Sequence, residues 1–418
     1  MANEPVEMLE LSLHGRRVAY LAGYRGGRNV LVFDEAWRLD PGRPTLTLTL
    51  MAGFPRAEAL METAWIRQQR LHPWFSNLLP EGSLRDWLAS RLKVHPDNEF
   101  PLLARLGHDL PGALVATPVM PDDMPDWVLS HRRSVTPVPQ QARGGAGFSL
   151  AGVQLKFSMR ERAGRFSLSG GDGPGTWIIK PPSARHSRLP EAEFTSMRLA
   201  ESAGVEIPEV RLVPLQALEG LPDISLPDEP HAYAIRRFDR VQETRVHTED
   251  MAQVLFRYPH EKYDGPSYEQ IGRLLREFTG DGLASVQEFA RRLLVNILLA
   301  NGDAHLKNWS LLYPDRHRPS LAPAYDIVTT RAYIEEEREA ALNLNGKKDW
   351  YRLNEEDFRR WSERVGVSWP AIRQVLAETV ERARCQWPSQ LSSLPMADEH
   401  QRVLRDHWKA LAPEWRIE

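Results

Sequence analysis

Short runs of alternating apolar and polar residues fill the first hundred positions. The runs ELSLHGRRVAYLAG, GGRNVLVFDEAW and PTLTLTLMAG are bounded by glycine or proline, and a period of two predicts β-strands. After FSNLLPEG, the apolar residues Leu84, Trp87, Leu88 and Leu92 follow a helical spacing, which predicts an amphipathic helix that covers a core. Residues 1–118 are therefore expected to form a small β-rich subdomain.

Proline and glycine become frequent between residues 119 and 147, and this composition predicts an exposed linker. Beyond it, SLAGVQLKFSM, GTWIIKPP and HAYAIRRFDR are predicted strands, and PEAEFTSMRLAESAGV is a predicted helix that Gly204 ends. The order strand, strand, helix, strand over residues 148–268 resembles a nucleotide-holding lobe.

Residues 269–418 have mostly helical periodicity. Phe289, Leu293, Ile297 and Ala300 recur at three- or four-residue steps, which predicts a buried helix running into NGDAHLKNWSLLY. Because a polar loop at the end of a buried helix is unusual, this segment is the first candidate for chemistry.

Length and charge narrow the class of protein. At 418 residues the chain exceeds the length at which single cores split, which predicts two or three subdomains. With 42% hydrophobic and 26% charged residues it has the balance of a folded globular protein. The 53 Lys and Arg against 56 Asp and Glu give a net charge of −3, so no global positive field holds nucleic acid. DNA contact is expected to be local or supplied by a partner.

Several features favour a cytoplasmic location. The single cysteine, Cys385, cannot form an intramolecular disulfide. The N-terminus MANEPVEMLELSL lacks the basic region of a signal peptide, and no window approaches the roughly 18 apolar residues of a spanning helix.

Three acidic or amide side chains suit phosphoryl transfer. Asp303 and Asn308 lie five residues apart in NGDAHLKNW, the separation of the base and the metal-binding asparagine in the protein-kinase catalytic loop. Asp326 follows eighteen residues later between apolar residues, where a carboxylate is costly unless it is paired or binds metal. An aspartate that caps the next segment is the alternative for Asp326.

A cation for the phosphates is offered by Lys180, which closes an apolar strand before two prolines. A lysine head that simply reaches water is the alternative. Glu193 on the following predicted helix is a candidate partner, as in kinases, and Glu191 competes for that role. The segment RGGAGFSLAGVQLKF contains neither GxxxxGKS nor GxGxxG.

Six segments, in this order, resemble successive motifs of the HipA family of bacterial toxin kinases: SLAGVQLKFSM, WIIKPP, AIRRFDR, HTEDMAQVL, NGDAHLKNWSLLY and APAYDI. The stretches FSNLLPEG and LLARLGHDLPGAL resemble that family's N-terminal subdomain. Ordered motifs are far more specific than any single one, and these extend over nearly the whole chain.

The resemblance implies an α+β, two-lobed, protein-kinase-like (HipA-like) fold, with a small β-rich N-terminal subdomain and a mostly helical C-terminal lobe. Asp303 is the implied base, and Asn308 and Asp326 are the implied Mg²⁺ ligands. Ser149 matches the serine that family members phosphorylate on themselves, which switches the kinase off. The implied ATP-binding residues are Ala151, Gly152, Val153, Gln154, Leu155, Lys156, Lys180, Arg236, Arg237, Phe238, His305, Lys307, Asn308, Tyr325 and Asp326.

The resemblance also implies partners. Family members are toxins of type II toxin–antitoxin pairs, neutralised by a small helix-turn-helix (HipB-like) antitoxin that carries the complex to operator DNA. Their protein substrates include aminoacyl-tRNA synthetases, and phosphorylation of such a target arrests growth. Two other functions remain open from the residues: a small-molecule kinase with the same site, and a catalytically silent co-repressor that acts with the antitoxin.

Overall fold

The computed structural model of the chain describes residues 4–130, 135–137, 155–168, 174–222, 225–242 and 244–418. The chain forms two compact units, each built from three separate segments. The first comprises Met1–Ile178, Asp239–Pro259 and Tyr313–His317, and the second comprises Ile179–Phe238, His260–Leu312 and Arg318–Glu418. Neither unit is one continuous stretch of sequence.

The N-terminal half of the chain is mainly β-structure with short helices, as its alternating pattern predicts. Its elements are β1 (Glu4–Leu13), β2 (Arg16–Tyr24), β3 (Arg28–Phe33), α1 (Glu35–Leu39), α2 (Ala57–Glu62), β4 (Trp65–Gln68), α3 (Pro73–Ser76), α4 (Gly82–Leu92), α5 (Glu99–Leu106), β5 (Leu114–Pro118), α6 (Asp126–Ser130), β6 (Val135–Pro137), β7 (Phe157–Arg162), β8 (Arg165–Leu168) and β9 (Trp177–Lys180).

Five strands of the first unit form a sheet in the order β4-β3-β2-β1-β5, and β6 also pairs with β1. The β1–β2 hairpin turns at His14 and Gly15, both with positive φ, and Leu9 lies opposite Leu21. Apolar side chains on one face, including Met8 and Val30, pack into a core cluster. The strands predicted in ELSLHGRRVAYLAG and GGRNVLVFDEAW and the predicted helix α4 are thus confirmed.

The run PTLTLTLMAG is not the strand that its alternation predicts. Leu48–Leu50 form a single 3₁₀ turn. The hydroxyl of Thr47 donates to Glu249 Oε2 (2.6 Å), and the Leu48 N–H donates to Glu249 Oε1 (2.7 Å). The Tyr313 hydroxyl donates to the same carboxylate. A buried carboxylate therefore takes the place of a partner strand.

Part of the predicted exposed linker is folded. Within residues 119–147, Asp126–Ser130 form α6, and Met124 and Val128 are buried in the core cluster of the first unit. Pro121 opens a 3₁₀ turn and Pro125 directly precedes α6, so composition alone did not reveal these elements.

The middle of the chain contributes to both units. Its elements are α7 (Leu189–Ser202), β10 (Val210–Pro214), β11 (Leu218–Glu219), β12 (His231–Arg236), β13 (Arg240–Val241), β14 (Thr244–Arg245), β15 (His247–Asp250) and α8 (Met251–Val254). The predicted helix α7 is followed by Gly204 with φ of 95°, the left-handed conformation that ends helices. Asp250 caps α8 and exchanges hydrogen bonds with Gln253.

The C-terminal part is mostly helical, as predicted. Its elements are α9 (Tyr268–Phe278), α10 (Gly282–Leu298), β16 (Ser310–Tyr313), β17 (Ser320–Leu321), β18 (Glu339–Leu344), β19 (Lys347–Asp349), α11 (Glu355–Val365), α12 (Trp369–Ser393) and α13 (Asp398–Ala410). Among the described residues, no helix has the length and apolarity needed to cross a membrane.

Aromatic side chains hold the end of α10 in place within the second unit. Trp408 Nε1 donates to the carbonyl of Leu298 (2.9 Å), and His407 Nε2 donates to the carbonyl of Ile297 (2.7 Å). Burial lowers the pKa of His407 to about 4, so the ring is neutral at pH 7. Both carbonyl groups lie in the last turn of α10, where the regular hydrogen bonds of the helix end.

Candidate active site

The loop after α10 carries Asp303 and Asn308. Ala300, with φ of 51°, turns the chain out of the helix. The side-chain amide of Asn301 donates to Asn296 Oδ1 (2.6 Å), and its oxygen accepts from the N–H of Asp303 (3.0 Å). Asn308 Nδ2 donates to the carbonyl of Asp303 (2.7 Å). The five-residue spacing therefore produces a closed loop.

Hydrogen bonds from neighbouring residues hold the backbone of this loop. The Tyr268 hydroxyl and Trp309 Nε1 both donate to the carbonyl of Ala304, at 3.0 and 3.1 Å. The N–H of Leu306 donates to the carbonyl of Lys262 (3.2 Å). The backbone of the loop is thus held by α9 and by the segment that precedes it.

Gly302 is set against a carboxylate. A Cβ at this position would lie 2.3 Å from Glu337 Oε1, which is closer than atoms approach. The N–H of Gly302 donates to Thr330 Oγ1 (2.7 Å), and the Thr330 hydroxyl donates to Glu337. Burial raises the pKa of Glu337, and the nearby Asp303 raises it further.

The side chain of Asp303 is half exposed, with 47% of its surface accessible. Its Oδ1 accepts a hydrogen bond from the hydroxyl of Tyr263. His305 Nε2 lies 3.9 Å from the same oxygen. A carboxylate in this setting remains reachable by an incoming hydroxyl group.

His305 is buried beside Asp303. Burial, with the positive charges of Lys262 and Lys307, holds the pKa of His305 well below its usual range. The imidazole is therefore neutral at pH 7. Its Nδ1 has no hydrogen-bond partner among the residues that the structure describes.

Lys180 lies at the end of β9 and pairs with two carboxylates. Its Nζ is 2.5 Å from Glu193 Oε1 on α7, and it also bonds to Asp326. Burial alone would lower the pKa of Lys180, but the two carboxylates raise it above its ordinary value. The competing residue Glu191 instead contacts His231 Nδ1 (3.2 Å). Of the two glutamates, Glu193 is the partner of Lys180.

Asp326 has a left-handed backbone, with φ of 55°. For a residue with a Cβ this conformation is costly, and such residues cluster at functional sites. It follows Tyr325, whose hydroxyl donates to the carbonyl of Lys307 (2.7 Å) and bonds to Ser310 Oγ (2.5 Å). The predicted strand pair β16–β17, with Leu311 opposite Leu321, brings this segment back to the catalytic loop.

Asn308 and Asp326 line one shallow, open cleft together with Asn296, Asn301 and Tyr325. Amide and carboxylate oxygens are hard ligands, and Mg²⁺ takes one or two of them plus phosphate oxygens and water. Since Asn308 uses its Nδ2 on the loop, its side-chain oxygen is the atom suited to a cation. The residues present therefore fit a magnesium ion shared with a nucleotide.

The remaining predicted nucleotide contacts are partly described. Arg236 and Arg237 follow one another at the end of β12, the first with an exposed side chain and the second buried. The rings of Phe238 and Tyr325 lie 5.8 Å apart. Leu155 and Lys156 precede β7 in the first unit. The predicted residues Ala151, Gly152, Val153, Gln154 and Ser149 lie outside the described part of the chain.

Sequence reasoning missed three residues at this site: Tyr263, Thr330 and Glu337. Tyr263 is 40 positions from Asp303 and stands in KYDGPS, a turn with no chemical signature. Glu337 belongs to an acidic run that is typical of an exposed surface. Only the fold brings these side chains to the catalytic loop.

Two family models match the chain. Residues 9–117 match the HipA N-terminal domain, and residues 148–387 match the HipA-like C-terminal domain. A protein of Sinorhizobium fredii, the candidate kinase Y4dM, is 42% identical over 395 residues, or 94% of both chains. The serine/threonine-protein kinase toxin HipA of Shewanella oneidensis is 25% identical over 392 residues, or 86% of both chains.

A solved structure has the same fold. The chain matches HipA from the Shewanella oneidensis complex of HipA, HipB and operator DNA with a TM-score of 0.70 and 20% identity, over 97% of this chain and 96% of that one. The predicted α+β fold of the protein-kinase-like class is thereby confirmed. The two matched family models and the similarity to Y4dM show that the chain belongs to the HipA family.

Proposed function

We propose that the chain is an ATP- and Mg²⁺-dependent protein serine/threonine kinase that acts as the toxin of a type II toxin–antitoxin system. The observation that carries the proposal is the buried Lys180, bonded to Glu193 and Asp326. A buried lysine that pairs with a helix glutamate is the phosphate-binding arrangement of protein kinases. Kinase names among the relatives support the same class.

Lys180 is the proposed cation for the ATP phosphates. Its pKa above the ordinary value keeps the ammonium charged, and Glu193 holds it with a 2.5 Å contact. The same proposal includes the other implied nucleotide contacts. These come from residues 151–156, Arg236, Arg237, Phe238, His305, Lys307 and Tyr325. A neutral His305 would accept or donate one hydrogen bond without adding charge.

Asp303 is the proposed base. The hydroxyl oxygen of a serine or threonine forms a bond to the γ-phosphorus while the bond to the β-phosphate oxygen of ATP breaks and ADP leaves with that electron pair. The hydroxyl proton passes to the Asp303 carboxylate, which later gives it to solvent. Half of the Asp303 side chain is accessible, as a macromolecular acceptor requires.

Asn308 and Asp326 are the proposed ligands of magnesium, which, when bound, neutralises charge on the phosphates. Asp326 also bonds to Lys180. This carboxylate therefore holds the ammonium of Lys180 next to the proposed magnesium site. The bond from Asn308 to the Asp303 carbonyl (2.7 Å) fixes the second ligand relative to the base.

The proposed partner is a HipB-like helix-turn-helix antitoxin, which would carry the toxin to operator DNA in the cytoplasm. The solved relative was crystallised with HipB and operator DNA. An aminoacyl-tRNA synthetase-like protein is the proposed target, with growth arrest and persistence as the result. Autophosphorylation of Ser149 is the proposed off-switch, because a phosphate adds roughly two negative charges beside bound ATP.

The test is incubation of unphosphorylated protein with labelled ATP and magnesium, followed by mapping of the phosphate by mass spectrometry. We expect label on Ser149, and we expect Asp303→Asn to abolish it. Asp264→Asn is the matched control, since Asp264 is exposed in the same region and makes none of the site's contacts described above.

Growth assays separate the toxin from the alternative functions. Expression of the parent chain should arrest growth, and co-expression of the antitoxin should relieve the arrest. If the purified parent neither binds ATP nor transfers phosphate, the kinase proposal is wrong and the co-repressor function becomes the better one.

A further inference from the structure

Tyr263 occupies an unusual place for a surface tyrosine. It is 41% exposed, yet its hydroxyl donates a hydrogen bond to Oδ1 of Asp303. That carboxylate is the proposed base, to which the acceptor hydroxyl must donate its own hydrogen bond. The tyrosine thus makes the contact that the substrate has to make.

The backbone of Tyr263 is held firmly. The carbonyl of the preceding residue, Lys262, accepts from the N–H of Leu306 in the catalytic loop (3.2 Å). After Tyr263, Gly265 adopts φ of 88°, and Ser267 caps α9 in a capping box. The backbone is thus anchored before and after Tyr263, and rotation of the side chain is the movement that would release Asp303.

The ring is supported on one side. His305 packs edge-on against it, with the ring centroids 5.0 Å apart and an interplanar angle of 80°. Because burial keeps His305 neutral, this contact is apolar and does not change with pH near 7. The ammonium of Lys262 also lies 5.6 Å from the ring centroid, and the tyrosine remains 41% exposed, which leaves its side chain room to rotate away from Asp303.

We propose that Tyr263 is a positioning residue that acts as an acceptor-site gate: its hydroxyl occupies the acceptor's hydrogen-bonding position at Asp303 until a substrate hydroxyl replaces it. This inference rests on the proposed kinase function. While the gate is closed, Asp303 does not orient a water molecule, so ATP is protected from hydrolysis. A folded protein acceptor, which contacts more surface than water, displaces the phenol.

In the suppressed side reaction, a water oxygen bonds to the γ-phosphorus, the bond to the β-phosphate oxygen breaks, and ADP leaves with its electron pair. The proton of that water passes to Asp303. Tyr263→Phe removes the competing donor and keeps the ring against His305. A hydrogen bond to a carboxylate is among the stronger ones in proteins, so we expect phosphate release without acceptor to rise about five- to tenfold.

The experiment measures multiple-turnover phosphate release with ATP and magnesium only, for the parent, Tyr263→Phe and Tyr351→Phe, each carrying Ser149→Ala so that the proposed self-phosphorylation neither consumes ATP nor switches the protein off. Tyr351 is the matched control, because its hydroxyl bonds to His407 Nδ1 (3.0 Å) and not to the catalytic loop. Only Tyr263→Phe should release phosphate faster. In an Asp303→Asn background, Tyr263→Phe should have no further effect, since the two residues act as one unit.

The outcomes are distinguishable. If the parent transfers phosphate to Ser149 but Tyr263→Phe hydrolyses ATP no faster than the parent, the gate is refuted and the kinase function stands. A slower Tyr263→Phe would make the tyrosine a support for the base, which also overturns the gate. If the parent shows neither transfer nor ATP binding, the proposed function itself fails.

Discussion

At the scale of single residues, buried charges define the site. Lys180 and Glu193 are almost inaccessible, with 4% and 3% of their side chains exposed. Taking two ions out of water is costly, and removing one partner of a buried pair leaves an uncompensated charge. We therefore expect the pair to contribute little net stability, which agrees with its proposed role in binding nucleotide.

Lys180→Met should therefore have two effects that can be separated. We expect loss of ATP binding and phosphotransfer, and a loss of about 3–5 kcal/mol in the free energy of unfolding because Glu193 and Asp326 both lose the ammonium that compensates their charge. Calorimetry with ATP and urea unfolding measure the two effects.

The double variant Lys180→Met/Glu193→Gln is the control for this prediction. Removing the charge of Glu193 should restore part of the stability, since Asp326 still lacks the lysine, but none of the activity. Recovery of activity in the double variant would contradict a role of Lys180 in binding phosphate.

At the scale of elements, the segment of Thr47 and Leu48 depends on one carboxylate from β15. Three donors converge on Glu249, which is 1% exposed. Burial raises the pKa of Glu249 to about 7, although the hydrogen bonds from Thr47, Tyr313 and Leu48 oppose it. Near neutral pH this element is held by a carboxyl group that is close to its titration point.

Glu249→Gln should remove a pH dependence of stability. Because the folded protein holds the proton of Glu249 more tightly than the unfolded chain does, the stabilisation is complete below pH 4.5 and is lost as the pH rises towards 7. We expect the parent, relative to the variant, to lose about 3 kcal/mol over that range.

Urea unfolding of both proteins at pH 5 and pH 8 measures this difference. A glutamine keeps the bonds from Leu48 and Tyr313 on its oxygen and can donate to the Thr47 hydroxyl. Glu35→Gln, at an exposed position in α1, is the control and should show no such change. Parallel pH profiles for the parent and Glu249→Gln would refute the prediction.

Hydrophobic periodicity predicted the elements that bury one apolar face in a core. The β1–β2 hairpin, α4, α7 and α10 all follow from local spacing. The segment around Leu48 was predicted wrongly, because its partner Glu249 is about two hundred positions away. The contact between Asp303 and Asn308 could be predicted from the sequence, because the two residues lie only five positions apart in one loop.

At the scale of the whole molecule, charge is nearly balanced, with a net value of −3. Non-specific DNA affinity comes from the release of counterions by clustered cations. A chain without an excess of positive charge is expected to depend on its antitoxin for DNA binding.

This dependence is testable with a labelled duplex taken from upstream of the chain's own gene. By fluorescence anisotropy, the chain alone should not bind at physiological salt, about 0.15 M, whereas the chain with its antitoxin should bind. Tight binding by the chain alone, persisting at high salt, would contradict the prediction.

The discontinuity of the first unit also bears on how the protein is made. Its last segment, Tyr313–His317, supplies the hydroxyl that bonds to Glu249 and the Arg316 carbonyl that accepts from the N–H of Thr45 (2.8 Å). A ribosome must therefore translate the chain as far as His317 before the first unit can close. Until then the nascent chain cannot complete either unit, so a truncated translation product would contain no finished kinase.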